Sequence, residues 1–113
     1  MDYLVIPAYE PDYNLIRLIK KVREKSDFEV IVINDGSSAS CNRVFEQAAT
    51  YATILHHSLN QGKGQALKTA FRYIQSQGRY GVIVTADADG QHKLWDILRV
   101  ANAAHEQPQK LIL

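Results

Sequence analysis

Along this chain, short apolar runs alternate with longer stretches in which apolar residues recur every three or four positions. Tyr3–Ile6 is an unbroken apolar run closed by Pro7, the pattern of a first strand. Leu15, Ile16, Leu18, Ile19 and Val22 then form a helical stripe behind Asp12, which predicts a capped helix from Asp12 to about Glu24. Phe28–Ile33 is nearly all apolar, as expected of a strand buried on both faces of a parallel sheet. A turn at Asn34–Ser38 leads into a helix from about Ser40 to Thr50, and a weaker strand signal covers Ala52–His56. The loop Asn60–Gly64 opens a helix through Gln75, which Gly78 ends as a C-terminal glycine. Tyr80–Ala86 predicts a fourth strand and Asp87–His92 the loop at its carboxyl end. A helix from about Leu94 to Ala104 follows, and Leu111–Leu113 begins a fifth strand beyond Pro108.

Regular alternation of strand and helix predicts an α/β fold, Rossmann-like, with a mainly parallel sheet flanked by helices. In such sheets ligands bind in the crevice outside the carboxyl ends of the strands. The first strand ends in Pro7-Ala8-Tyr9-Glu10, the second in Asn34-Asp35-Gly36 and the fourth in Asp87-Ala88-Asp89-Gly90-Gln91-His92. Three strands therefore deliver acidic residues to one edge, while lysine, arginine and glutamine collect mainly at the other.

Asp87 and Asp89 are two apart, so in extended backbone their side chains point the same way. A pair of hard carboxylates can share Mg²⁺ or Mn²⁺, and such an ion can bridge the phosphates of a nucleotide diphosphate. Gly90 lets the backbone approach a ligand and Gln91 adds an oxygen donor. The competing structural reading is that either aspartate caps the next helix or makes an Asx turn. Asp35 could accept hydrogen bonds from a nucleobase edge or a ribose, although Asn-Asp-Gly is also a common turn. Gly62-Lys63-Gly64 can aim backbone N–H groups at an anion, with Lys63 adding a point charge. It is not a P-loop: the first glycine is missing and Gln65 stands where Ser or Thr should be. No G-x-G-x-x-G follows the first strand. His56 and His57 read as packing or surface residues, Cys41 as a small helix residue, and Ser37 and Ser38 have no visible base partner.

Composition narrows the field. A chain of 113 residues holds one domain, spanning residues 1–113. With 13 basic and 12 acidic residues the net charge is +1, which gives no electrostatic reason to propose nucleic acid as partner. One cysteine excludes an internal disulfide and any cysteine-based metal site, in keeping with a reducing, cytoplasmic compartment. The N-terminus lacks the basic region of a signal peptide, and no stretch approaches the roughly 20 apolar residues of a membrane span.

Four segments, in order, resemble family-two glycosyltransferases of the GT-A fold, in the dolichyl-phosphate mannose synthase-like and polyprenyl-phosphate sugar transferase branch. They are Ile6–Glu10, Val32–Ser38, Asn60–Ala66 and Asp87–His92. The resemblance implies that Pro7, Ala8, Tyr9, Glu10 and Asp35 hold the base and ribose of a UDP- or GDP-sugar, with Lys63 near the nucleotide. It makes Asp87 and Asp89 the DXD-type ligands of the metal and diphosphate, Asp87 touching the donor as well, with Gln91 as third ligand. The family inverts the transferred sugar with a carboxylate base. By the resemblance that base and the acceptor half lie beyond Leu113, so the chain is expected to be the nucleotide-sugar-binding part of a truncated glycosyltransferase domain. Its acceptor would be a polyprenyl phosphate or a saccharide, and a lipid acceptor would place the chain peripherally at a membrane. One departure is Lys93-Leu94-Trp95-Asp96, where the family carries a Pro-Glu-Asp-like stretch. The alternatives are a non-catalytic domain that binds nucleotide or forms homo-oligomers through its unfinished sheet edge, and a nucleotidyltransferase. The latter lacks its glycine-rich, arginine-containing loop.

Overall fold

The computed structural model describes residues 2–78, 81–89 and the backbone of 111–112. Strand β1 (Tyr3–Ala8), helix α1 (Asn14–Lys25), strand β2 (Glu29–Asp35), helix α2 (Asn42–Ala48), strand β3 (Thr53–His57), helix α3 (Lys63–Ser76) and strands β4 (Ile83–Thr85) and β5 (Leu111–Ile112) follow one another. The strands lie in the order β3-β2-β1-β4-β5 and every pairing is parallel. This is the α/β, Rossmann-like sheet that the alternating pattern predicts. Its direction of growth reverses at β1, which makes the β1/β4 boundary the switch point.

Both faces of the sheet are covered, and the two faces of β1 and β2 divide by parity. Leu4, Ile6, Ala8, Val30 and Val32 pack on one side with Leu15, Ile19 and Val22 of α1 and with Val44, Phe45 and Ala48 of α2. Tyr3, Val5, Ile31 and Ile33 pack on the other with Ala66, Ala70 and Ile74 of α3. Period-two alternation with apolar residues on both sides is the physical meaning of the continuous runs. A fully buried aliphatic side chain contributes about 1.5–3 kcal/mol by leaving water. These two strands therefore fix the sheet, and the loops beyond their carboxyl ends are held to it.

Element ends differ from expectation in physical detail. The first helix starts at Asn14 behind Tyr13, and Asp12, two residues ahead of it, accepts the Asn14 N–H on its carboxylate at 2.9 Å. The second is opened by a tight 3₁₀ turn at Ala39–Cys41 before Asn42, and it ends at Ala48. Strand β4 has three paired residues, although the Val82 carbonyl accepts from Tyr3 N–H and Ala86 N–H donates to the Val5 carbonyl on either side. The expected helix from Leu94 to Ala104 lies outside the described residues, as do Gly90, Gln91 and His92. Among the described residues no helix is long and apolar enough to cross a membrane.

Candidate functional site

Because the strands are parallel, the loops after β1, β2, β3 and β4 share one edge. That edge carries Glu10, Asp35, His57, Lys63, Asp87 and Asp89. It also carries the exposed apolar side chains Tyr9, Tyr13 and Leu59.

Asp35 is the last residue of β2 and only 4% exposed. In register it faces His57 of β3, on the α3 side of the sheet by parity with Ile31 and Ile33. Its Oδ1 accepts from His57 Nδ1 and from Gln61 N–H, and its Oδ2 from Gly62 N–H, each at 2.9 Å. Its carbonyl accepts from Asn60 Nδ2 at 3.1 Å. Burial works to raise the carboxyl pKa, but the His57, Gln61 and Gly62 hydrogen bonds outweigh it and hold Asp35 below the usual aspartate range. The expectation that Asp35 grips a nucleobase or ribose thus meets a carboxylate already engaged within the chain. It staples the β3–α3 loop to the end of β2.

The next residue explains the closeness. Gly36 has φ 73°, and a Cβ there would lie 2.2 Å from Asn60 N. Only glycine lets the loop backbone sit against the turn. Gly62, with φ 92°, then turns the chain into α3 and has no side-chain cap. The first residue of α3 is Lys63, whose Nζ reaches Asp87 Oδ1 at 3.5 Å.

Glu10, after β1, is held differently. It takes φ 50°, in the left-handed region that non-glycine residues seldom occupy. Its N–H donates to Ser37 Oγ. Its carboxylate accepts from Ser38 N–H and Ser38 Oγ at 3.0 Å and from Cys41 Sγ at 2.9 Å. Those bonds, with Cys41 foremost, lower the Glu10 pKa, while the same contact, burial and the nearby negative charge push the Cys41 thiol up. The sequence reading of Cys41 and Ser38 as unremarkable therefore misses a cluster that ties the β1–α1 loop to the β2–α2 turn. Of the other residues expected there, Pro7 is paired within β1, Ala8 buries its methyl group in the core, and Tyr9 is 57% exposed.

Asp87 and Asp89 lie beyond the end of β4, with Ala88–Asp89 in a turn. The two-residue alternation of a strand therefore does not govern their side chains, and their shared edge comes from the turn instead. Asp87 is about half exposed. Among the described residues no group of three or more His, Cys, Asp or Glu side chains converges on one metal position. Two carboxylates, all-oxygen donors, are what the described part of this edge offers beyond β4. That chemistry suits Mg²⁺ or Mn²⁺, ions that keep several water positions and are completed by substrate phosphates.

The family described as Glycosyl transferase family 2 matches residues 3–113. The chain is 30% identical over 97 residues to an uncharacterized protein of Methanocaldococcus jannaschii, covering 82% of this chain and 42% of that protein. It is 30% identical over 114 residues to dolichyl-phosphate beta-glucosyltransferase of Saccharomyces cerevisiae, covering 88% and 33%. It is 25% identical over 113 residues to UDP-N-acetylglucosamine–dolichyl-phosphate N-acetylglucosaminyltransferase of Methanococcus voltae, covering 87% and 45%. The chain spans less than half the length of each of these curated relatives.

Proposed function

The chain belongs to glycosyl transferase family 2, and from that membership we propose that it binds the UDP- or GDP-sugar donor of an inverting transfer to a polyprenyl phosphate. What supports the reading most is the meeting of Lys63 with Asp87 at 3.5 Å. The two come from the ends of different elements and lie on either side of the β1 end, in the crevice where an open parallel sheet takes its ligand. Asp87 and Asp89, with Gln91 two positions further along the sequence, would hold Mg²⁺ or Mn²⁺. When bound, the ion neutralises charge on the diphosphate leaving group. Lys63 supplies a second cation at the uncapped start of α3, where backbone N–H groups also favour an anion. The exposed ring of Tyr9 offers a stacking face for the base. Asp35 contributes through the loop it holds.

The acceptor follows from the relatives, two of which are named for dolichyl phosphate. A lipid of that kind would bring the chain to the cytoplasmic face of a membrane as a peripheral protein.

Calorimetric titration with UDP, GDP and their sugars, with and without Mn²⁺, tests the donor site. Metal-dependent binding is expected, lost in Asp89→Ala. Equal silence from the unaltered chain and the variant would sink the reading and favour a domain that folds or oligomerises without nucleotide.

A further inference from the structure

We propose that His57 is a positioning residue for the donor site, acting through Asp35 on the Gln61–Lys63 segment; this rests on the donor reading above.

The imidazole is buried, 8% exposed, between the sheet and α3. One ring nitrogen, Nδ1, meets Asp35 Oδ1 at 2.9 Å, and the other, Nε2, meets Thr69 Oγ1 at 2.8 Å. The Thr69 hydroxyl also donates to the Gln65 carbonyl at 3.1 Å, one turn back along α3. The ring is therefore fixed at both ends, once to β2 and once to the helix that Lys63 begins. Asp35 in turn receives the amides of Gln61 and Gly62 at 2.9 Å, and the next residue is Lys63, facing Asp87. An unbroken line of contacts runs from Thr69 through His57, Asp35 and Gly62 to the cation of the proposed site.

Asp, His and Thr in a row are also the residue types of a nucleophilic triad. Here the threonine lies on the sheet-facing side of a helix and bonds that helix's own carbonyl, so the line holds rather than attacks. Register makes it possible: Asp35 and His57 are direct neighbours across β2 and β3. Removing the ring frees the carboxylate to turn, and the two loop amides turn with it. Loss of a hydrogen bond to a buried carboxylate shifts an equilibrium by roughly tenfold or more.

Three substitutions separate the two ends of the ring. His57→Asn keeps a donor near the Nδ1 position, within reach of Asp35. His57→Gln places its amide near the Nε2 position, toward Thr69. His57→Ala keeps neither. The measurements are amide hydrogen exchange at Gln61 and Gly62 by NMR, and affinity for UDP and GDP with Mn²⁺. His57→Ala is expected to speed exchange at those two amides and weaken nucleotide binding, each by about tenfold or more. His57→Asn should restore both and His57→Gln neither. If His57→Ala does not fold, the Asn and Gln variants carry the comparison. Unchanged exchange, or equal rescue by Asn and Gln, overturns the inference. Faster exchange with unaltered nucleotide affinity overturns the positioning role while leaving the donor reading intact. No nucleotide binding by the unaltered chain sinks the donor reading and the positioning role together. The exchange data then still show whether His57 holds the loop.

Discussion

Asp35 at the end of β2 and Asp87 after β4 carry the same side chain on the same edge of the same sheet, and the structure uses them in opposite ways. Asp35 is buried, with its oxygens turned to His57, Gln61 and Gly62. Asp87 is half exposed, and the ammonium of Lys63, itself exposed, reaches it at the long end of a salt bridge. A carboxylate held by fixed backbone amides is part of the frame. A carboxylate facing a flexible cation in solvent can exchange that cation for another. Acidity at a strand end thus says little by itself; what separates frame from site is whether the carboxylate is buried against fixed backbone amides or open to solvent.

The strongest way to break this division is to remove each carboxylate in turn. Asp35→Ala strands the buried His57 and two amides, and is expected to cost about 3–5 kcal/mol in urea denaturation. Asp87→Ala should stay within about 0.5 kcal/mol of the unaltered chain while abolishing Mn²⁺-dependent nucleotide affinity. Comparable stability losses would erase the distinction. Next in size is Gly36→Ala, where positive φ and the approach of Asn60 to 2.2 Å act together. A loss of about 3 kcal/mol is expected, read from the same denaturation curves, and a loss near zero would mean that the loop does not depend on the turn.

Acid sharpens the contrast further. The Asp35 pKa is lower folded than unfolded, so its contribution is fully present above the unfolded value of about 3.9 and is lost as pH falls from there through the folded value. Stability should decline over that window by no more than about 1.4 kcal/mol per pH unit for this one proton. Urea midpoints taken through the acid range should show the decline, and Asp35→Asn should flatten it. A small effect on stability, like that of Asp87→Ala, belongs to Lys63→Ala. Its pairing with Asp87 is exposed on both sides, so the cost should be under about 1 kcal/mol and should fade with added salt. A large, salt-independent cost would place Lys63 in the frame rather than the site.

Much of the fold is legible from residue pattern because the pattern reports local physics. The stripe from Leu15 to Val22 is buried as a helix face, and Tyr3–Ile6 and Val30–Ile33 lie buried in strands with cover on both sides, although β2 starts at Glu29 and runs on to Asp35. Glycine at position 36 is required by the backbone angle and by the chain passing beside it. Less legible were the helix beginning at Asn42, where a 3₁₀ turn intervenes, and the pair Asp87 and Asp89, which sit in a turn rather than in strand geometry. Least legible was the choice among acids. Glu10 is 31 residues from Cys41 and Asp35 is 22 from His57, and no local period encodes either meeting.

The sequence by itself determined the alternation of elements, the doubly buried central strands and the delivery of acids to strand ends, because steric preference and burial act over a few neighbouring residues. Only the tertiary structure decided the order β3-β2-β1-β4 and the register that sets Asp35 beside His57. Those depend on which strands pair and how far they slide. A shift of one residue would turn Asp35 to the other face of the sheet and leave the loop that carries Lys63 without its anchor.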